Sequence, residues 1–578
     1  MGIEYRLKNT GKFVIAFTVI TLLFSGCEKL FHEEEISMAD ITSYEQLVEA
    51  TQGLYGQLAY SFFGSSTDDY NGSDYYQPNV KSDDLSYSFS GYLRSLYWTR
   101  QLEHCEDFFN PSTVTEYEYT DKINYTWRWL YKIIGSVNNI LTQFDYKTIS
   151  DEQILEILGE IHFIRAYCYF RLMRTYGQIP IVNDVDVKYD TPKATFKEIY
   201  EFIENDLKIA AGILPANNSE AREPFATPHI GTTKVLLAEV YLSWAGYPCK
   251  DDSKYTLAKQ EAGEVIENEA FYGFKILNNF ADLWLNDNIY NNENVFSVNY
   301  IMGKYRVMDD FYQGFLQIDN GYFLGGIYIM LSDTLGFMPL FYPVRRKFFN
   351  TYPASYRKDV TFFTTIYIPH GYLYEYPGGE DDIDTLETYI NPVEPHLTPS
   401  GDITSIDTCY LIHFDKVHSP CDEVPYRKFF YEIGYPERGT GFVSGHTKIY
   451  LFRYAQTLLT YAEAAARSGE VNSLAYECVN RIRRRAHNVD LNTPSPFDLQ
   501  PGLSPEVFAD SVVWERAWEL TGEFEGRWFD LIRLEMVEDL PNLRYQDYYE
   551  GPPNAFNKSE YFFPIPDYDI NLNPDLEN

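Results

Sequence analysis

With 578 residues and a formal net charge of −37, the chain is too acidic to be drawn to nucleic acid or to anionic lipid headgroups by charge. Apolar residues at 45 % can build an extensive core, while aromatic residues reach 17 %, an excess carried mainly by tyrosine that lies heavily outside the periodic segments.

At the N-terminus, Arg6, Lys8 and Lys12 precede an apolar run at 13–24 that is too short to span a bilayer as a mature helix. Leu23, Phe24, Ser25, Gly26 and Cys27 then resemble a bacterial lipobox. That pattern predicts a signal peptide over 1–26, cleavage before Cys27 and lipid on Cys27; the alternative is a plain secretory signal with an incidental cysteine. Several acyl chains on one terminus suffice for stable anchoring on a membrane. The next stretch, 27–40, reads as anchor and acidic tether, with Glu33, Glu34 and Glu35 inside it.

Apolar residues recurring at steps of three and four predict about four antiparallel helix pairs. They are 43–60 with 121–144, 154–176 with 195–214, 232–245 with 255–268, and two helices within 449–487. In the last pair, Leu451, Tyr454, Leu458, Tyr461, Ala462 and Ala465 share one face, and Ser468, Gly469 and Glu470 interrupt the run. Leu474, Ala475, Cys478, Val479 and Ile482 resume it, ending among Arg481, Arg483, Arg484 and Arg485, cations that complement a helix C-terminus. Such units cannot bury their faces alone and stack as a tetratricopeptide-like array.

Two long intervals break this array. The first splits the first pair by about sixty residues, far beyond an ordinary loop. Within it, 81–100 offers Tyr92, Tyr97 and Trp98 as stacking surfaces and Arg94 and Asp83 as hydrogen-bonding groups for hydroxyls. The second, 271–446, holds β-like runs at 294–299 and 361–368 among Pro/Gly turns and reads as an insertion draped over the helices. Its 299–342 stretch supplies Tyr300, Tyr305 and Tyr322 as an opposite wall. Flat rings with polar edges stack on sugar faces or peptide side chains at low entropic cost; the competing role for any single ring is filling a small core beneath a loop. Asp381, Asp382 and Asp384 lack the glycine of an EF-hand loop and read as a solvated acidic loop, not a metal site.

Residues 512–534 read as one helix with Glu515, Glu519 and Glu523 on one face and Arg516, Arg527 and Arg533 available as partners. Paired carboxylates suit glycosidase chemistry, but acids set among arginines stay ionised and cannot donate a proton. Structural ion pairs locking the last helix to the array are the expected role. No GxSxG, HExxH, phosphate-binding loop or dinucleotide fingerprint occurs in a fitting context, so neither a catalytic residue nor a cofactor is expected. Cys168 and Cys478 lie on helix faces as expected buried thiols, Cys409 and Cys421 could pair, and no cysteine spacing suits a metal.

Several stretches, in order along the chain, resemble the SusD/RagB family, the nutrient-binding outer-membrane lipoproteins of Bacteroidetes. They are the lipobox ending at Cys27; Trp129 to Ile134 with Asn139, Ile140 and Leu141; Phe163 to Ala166 through Tyr176, Gly177 and Pro180; and Glu293 to Phe296. Further on come Arg453, Tyr454 and Ala455 to Ala464; Glu515 and Arg516 with Glu525, Gly526, Arg527, Asp530 and Leu531; and Phe563 to Pro566. The chain departs from the pattern at Ser355 and Tyr356, where an aspartate often precedes the arginine, and at its shortened end.

The resemblance implies a mainly α, TPR-like helical repeat superhelix with a long irregular, loop-rich insertion containing short strands. It also implies a SusC-type TonB-dependent transporter as partner, over which the lipoprotein sits as a lid, and a glycan, or in some members a peptide, bound without chemistry. The expected organisation is 41–270 as helical repeats with a loop insertion at 61–120, 271–447 as the variable ligand-binding region, and 448–578 as the closing repeat. The expected function is capture of oligosaccharide at the outer membrane and delivery to the transporter. A peptide-capturing lid, a surface hydrolase and a ligand-free adaptor are the alternatives.

Overall fold

The computed structural model describes residues 41–63, 81–85, 120–144, 147–183, 190–285, 288–300, 344–362, 365–369, 387–390, 408–413, 423–424, 428, 447–523, 526–544, 558 and 561–577. The chain divides into two units, Met1–Leu47 and Val48–Asn578. In the first, Ser43 Oγ accepts from the Gln46 amide at 3.3 Å at the start of α1 (Tyr44–Phe63).

In the second unit the sequence periods are realised as α2 (Thr120–Gln143), α3 (Glu152–Tyr176), α4 (Phe196–Ile213), α5 (Ile230–Ala245) and α6 (Ser253–Glu267). Local chemistry sets several of the boundaries. The Asp151 carboxylate caps α3 through the Gln153 amide at 3.0 Å, and Thr195 and Glu198 form a reciprocal capping box on α4. Gly177 stops α3 with φ +79°, a conformation that favours glycine, and its amide donates to Met173 O.

Every residue of α3 from Ile157 to Met173 is buried, so this helix is central rather than amphipathic. Its polar side chains are paired inside the core. Glu160 accepts from Arg222 at 2.8 and 2.7 Å and from the Tyr55 hydroxyl at 2.9 Å, and Arg165 and His162 share Asp206. Cys168, on the same helix, is the expected buried thiol, pushed up to about 12 by desolvation, and Cys478 is likewise buried.

Successive helices pack in order: α2 on α3, α3 on α4, α4 on α5 and α5 on α6. The insertion contributes β1 (Asn294–Tyr300), β2 (Val344–Arg345), α7 (Arg346–Thr351), α8 (Tyr356–Thr361), β3 (Thr365–Pro369), β4 (Glu387–Ile390), β5 (Thr408–His413), β6 (Glu423–Val424) and β7 (Thr447–Arg453). After it come α9 (Tyr454–Arg467), α10 (Ser473–Ala486), α11 (Pro505–Glu519) and α12 (Arg527–Arg533). Helix α9 packs on α6 and α5, with α10 and α11 against it, so the array passes from α6 to α9 although residues 268–453 lie between them in the chain. Close approach is built in: a Cβ at Gly263 of α6 would stand 2.9 Å from the Tyr461 ring of α9.

Three expectations need correction. Residues 449–453, read as the start of a helix, form β7, which pairs antiparallel with β1 from Asn294↔Arg453 to Tyr300↔Thr447. Ile449, Tyr450, Leu451 and Phe452 are a short apolar run whose period cannot tell strand from helix, and β1 decides it by supplying a ladder. The strand expected at 361–368 is confined to β3, because the Ser355 hydroxyl caps α8 and carries helix through Thr361. Residues 512–534 are two helices, not one: α11 ends at Glu519 and a turn with Gly522 at φ +69° intervenes before α12.

The β1–β7 ladder lies against the central helix. Phe296 meets Phe163 and Tyr167 edge-on at 4.9 and 5.9 Å between centroids, and Phe452 meets Tyr167 at 6.0 Å.

Candidate functional site

Arg453 ends β7 and stands directly before α9, which aims its guanidinium into the space between β1, α10 and the turn after α11. Nε donates to Glu523 at 2.7 Å, Nη1 to Glu293 at 2.8 Å and Glu519 at 2.9 Å, and Nη2 to the Glu519 carbonyl at 3.1 Å and Glu523 at 2.9 Å. Arg485 of α10 donates to the same Glu519 at 2.6 Å and to Glu293, while Arg357 of α8 spans Glu519 and Glu515 at 2.7 Å each. Arg483 reaches Glu515 at 3.2 Å, and Lys428 donates to Glu523 at 2.8 Å.

Burial alone would raise the Glu519 carboxyl, but the guanidiniums of Arg485, Arg453 and Arg357 outweigh it and hold it down at about 2. Glu523 is lowered in the same way: Arg453 and Lys428 overcome its desolvation. Desolvation, reinforced by Arg453, pulls the Lys428 ammonium below its ordinary range although Glu523 favours the charge. Glu519 and Glu523 are therefore buried counter-ions held in the ionised form, which suits a framework and not a proton donor.

Their partners differ from those the sequence suggested. Arg516 pairs with Glu239 and Asp530, Arg527 with Asp83, and Arg533 with Glu463 and Asp530. The arginines that serve the glutamates come from α8, β7 and α10 instead. Sequence proximity misled here, because the buried arginines at 516, 527 and 533 are engaged by acids of other segments and by Asp530, while the glutamates meet cations brought in from other elements.

The segment 81–85 is the second component. Despite four polar side chains it is fully buried, and a buried polar group is costly unless it is bonded. Asp83 accepts from Arg527 Nε at 2.9 Å and Nη2 at 3.1 Å; Asp84 accepts from the Gly522 amide at 3.1 Å and the Thr521 hydroxyl at 3.2 Å, and bonds Ser82. The Lys81 ammonium lies over the rings of Trp528 and Phe563 at 5.1 and 4.5 Å. Finally, Arg345 Nε donates to the Leu85 carbonyl at 3.0 Å, and its strand β2 pairs with β6 through Val344↔Val424 and Arg345↔Glu423.

Asp83 was expected to meet ligand hydroxyls, and that expectation is corrected: it is 1 % exposed and both of its oxygens are engaged by Arg527. Tyr300 is the last residue of β1, opposite Thr447, with its side chain outside the described set. Tyr92, Arg94, Tyr97, Trp98, Tyr305 and Tyr322 lie outside the described residues, as do Cys27, Cys421 and the 381–384 acidic loop. What the structure does bring together is Leu85 and Arg345, which border two of these stretches in the chain. Residues 86–119 follow Leu85, residues 301–343 lead into Val344, and Arg345 bonds Leu85. Sequence reasoning missed Arg345 and Lys428; the only available signal was that Arg345, Arg346 and Lys347 form a basic cluster in an acidic chain. Among the described residues no group of three His, Cys, Asp or Glu side chains could hold a metal ion, and no helix is long and apolar enough to cross a membrane.

Comparison with known proteins agrees with this architecture. A family model described as "SusD family" matches 421–578, and one described as "Starch-binding associating with outer membrane" matches 50–242. Both the N-terminal helical part and the C-terminal part of the chain are thus similar to the SusD family. SusD-like protein P2 of Formosa agariphila is 24 % identical, with 98 % of each chain aligned. Starch-binding protein SusD of Bacteroides thetaiotaomicron is 25 % identical over 78 % of this chain and 77 % of that one. Among solved structures, a SusD homolog from Bacteroides thetaiotaomicron superposes with a TM-score of 0.64 at 20 % identity, covering 92 % of this chain and 96 % of that one. Surface glycan-binding protein A from Bacteroides fluxus gives 0.62 at 18 % identity, covering 92 % and 97 %. The helical array is thus the TPR-like fold of this family.

Proposed function

We propose that this protein is a lipid-anchored, surface-facing glycan receptor of the outer membrane that captures an oligosaccharide and hands it to a SusC-type TonB-dependent transporter without chemistry. The observation that carries the reading is the Arg345–Leu85 bond, which joins the bases of the two aromatic-rich stretches on a framework whose glutamates are fully committed to arginines. Relatives described as starch-binding and glycan-binding support a carbohydrate over a peptide. In this reading Trp98, Tyr97, Tyr92 and Arg94 form one wall, Tyr300, Tyr305 and Tyr322 the other, and Cys27 carries the lipid. Each stacked ring contributes on the order of 1 kcal/mol by analogy with aromatic pairs. After the cost of association, a handful of rings gives micromolar to millimolar binding, weak enough to release cargo into a barrel.

The test is a glycan array probed with the protein lacking residues 1–27, together with mild-detergent extraction of the native lipoprotein. Binding to a defined oligosaccharide class and recovery with a large β-barrel are expected. An array with no glycan bound, or isolation solely as a monomer, contradicts the proposal.

A further inference from the structure

A cleft opens where the end of α3, the start of α4, the end of α5 and α12 meet. Including its mouth it holds about 310 Å³, at the lower end of what small-molecule sites occupy, and so takes a single ring and not a chain. The half-exposed rings of Phe196, Tyr247 and Phe562 wall it, with Pro248 beside them. These rings are fixed from behind. The Tyr247 amide donates to Arg533 O at 2.9 Å, an approach that depends on Gly246, since a Cβ there would collide with the same carbonyl. Phe562 lies over Gly177, where a Cβ would stand 3.1 Å from its ring, and meets Phe196 at 5.5 Å and Tyr247 at 6.5 Å between centroids. The wall is therefore preorganised, which lowers the cost of binding.

The polar groups of the cleft differ in what they already bond. Arg533 is committed to Glu463 and Asp530, and Arg174 donates to the Phe170 carbonyl at 3.3 Å and lies over the Phe170 and Phe529 rings. Tyr200 is different. It is 2 % exposed and its ring stacks on Trp244 at 5.0 Å, yet among the described residues nothing hydrogen-bonds its hydroxyl, nor that of Ser243. A hydrocarbon closing the cleft would shut both hydroxyls off from water without a partner, which is unfavourable. Among the described residues no carboxylate lines the cleft to hold a cation, and both arginines that line it are already engaged, so an anion gains little there. We propose that the cleft is a second ligand site, for a neutral pyranose ring that packs its C–H face on the ring wall and bonds the Tyr200 and Ser243 hydroxyls through its own. The site is separate from the stretches assigned to glycan capture and stands without them.

The experiment titrates the full-length protein in detergent with the methyl pyranosides of glucose, galactose, mannose and xylose by saturation-transfer NMR, as wild type, Tyr200→Phe and Ser243→Ala. At least one pyranoside should bind the wild type in the millimolar range. Tyr200→Phe keeps the ring and its stack on Trp244, and should raise that Kd about fivefold, the equivalent of about 1 kcal/mol. Its melting temperature should stay within about 2 °C of wild type, because no hydrogen bond within the protein is lost. A packing role for the hydroxyl predicts the reverse, a lower melting temperature with unchanged Kd. Ser243→Ala should raise Kd about threefold, and it decides the question if Tyr200→Phe does not fold. A wild type that binds none of the pyranosides, or a Kd unchanged in the folded variants, overturns the site. Either result leaves glycan capture to be judged on its own array.

Discussion

Glu519→Gln is the sharpest probe of the framework. Glu519 accepts from Arg357, Arg453 and Arg485 while fully buried, and an amide in its place would keep the shape but leave three guanidiniums short of a counter-charge. Removing one partner of a buried ion pair costs about 3–5 kcal/mol. The carboxyl's displacement from an ordinary value near 4.5 to about 2 corresponds to about 3 kcal/mol by linkage, so the two routes agree in size. For a chain of this length the unfolding entropy is on the order of 1 kcal/mol per kelvin, so the melting temperature should fall by about 3–5 °C at pH 7. The pH dependence has a definite sign. A folded-state value below the unfolded one gives stability that is complete above about 4.5 and fades as pH falls toward 2. The gap between wild type and variant should therefore be constant from pH 7 to 5 and narrow below 4.5. Circular-dichroism melts at pH 7, 5, 4 and 3 measure it. A variant melting within a degree of wild type at pH 7, or a gap that persists undiminished at pH 3, refutes the counter-ion role.

Lys448, on β7, donates to the Asn288 carbonyl at 2.5 Å, lies over the Tyr450 ring and is pulled down to about 7, chiefly by desolvation and also by Arg453, against the attraction of Glu293. Because the unfolded chain binds that proton up to about 10.5, stability should rise with pH between 7 and 10.5. Lys448→Met should accordingly raise the melting temperature by a few degrees at pH 6 and by progressively less at pH 9 and 10; an equal gain at every pH would exclude the titration. Cys27→Ala should abolish lipidation and leave the protein in the soluble fraction, which mass spectrometry and fractionation check. Trp98→Ala should weaken glycan binding with little change in melting temperature; a loss of several degrees with normal binding would make Trp98 a core residue.

The helical array was legible because its signal is local: period, capping residues and short connections were all visible in the sequence, and α3 to α6 begin and end within about two residues of the expected bounds. The ladder of β1 and β7 was half visible. Residues 294–299 read as a strand, but Ile449 to Phe452 carry the same apolar run in either structure, and only a partner far away in the sequence resolves it. The glutamates at 515, 519 and 523 were correctly read as structural, from chemistry that holds whichever arginines they meet. Their partners were not legible, because Arg357, Arg453 and Arg485 are brought in by tertiary packing that no local spacing encodes. Asp83 misled for the reverse reason: a polar stretch in a long interval looks solvent-exposed unless its buried counter-charge, Arg527, is known to lie opposite.

This dependence on distant charges has a consequence for how the long insertion is held. An apolar junction tolerates a slipped register, since one methyl group packs nearly as well as the next. The junction here does not. If the 81–85 segment moved by one residue, Asp83 and Arg527 would both become unpaired charges in the interior, and Asp84 would lose the Gly522 amide. Leaving a buried charge without its partner costs about 3–5 kcal/mol, against less than about 1.5 kcal/mol for a volume-conserving apolar exchange. Three segments separated by long intervals, at 81–85, 344–345 and 428, are each held by such directional polar bonds. The helices supply the bulk of the burial, but the buried ions select a single arrangement of the segments from which the candidate walls depart.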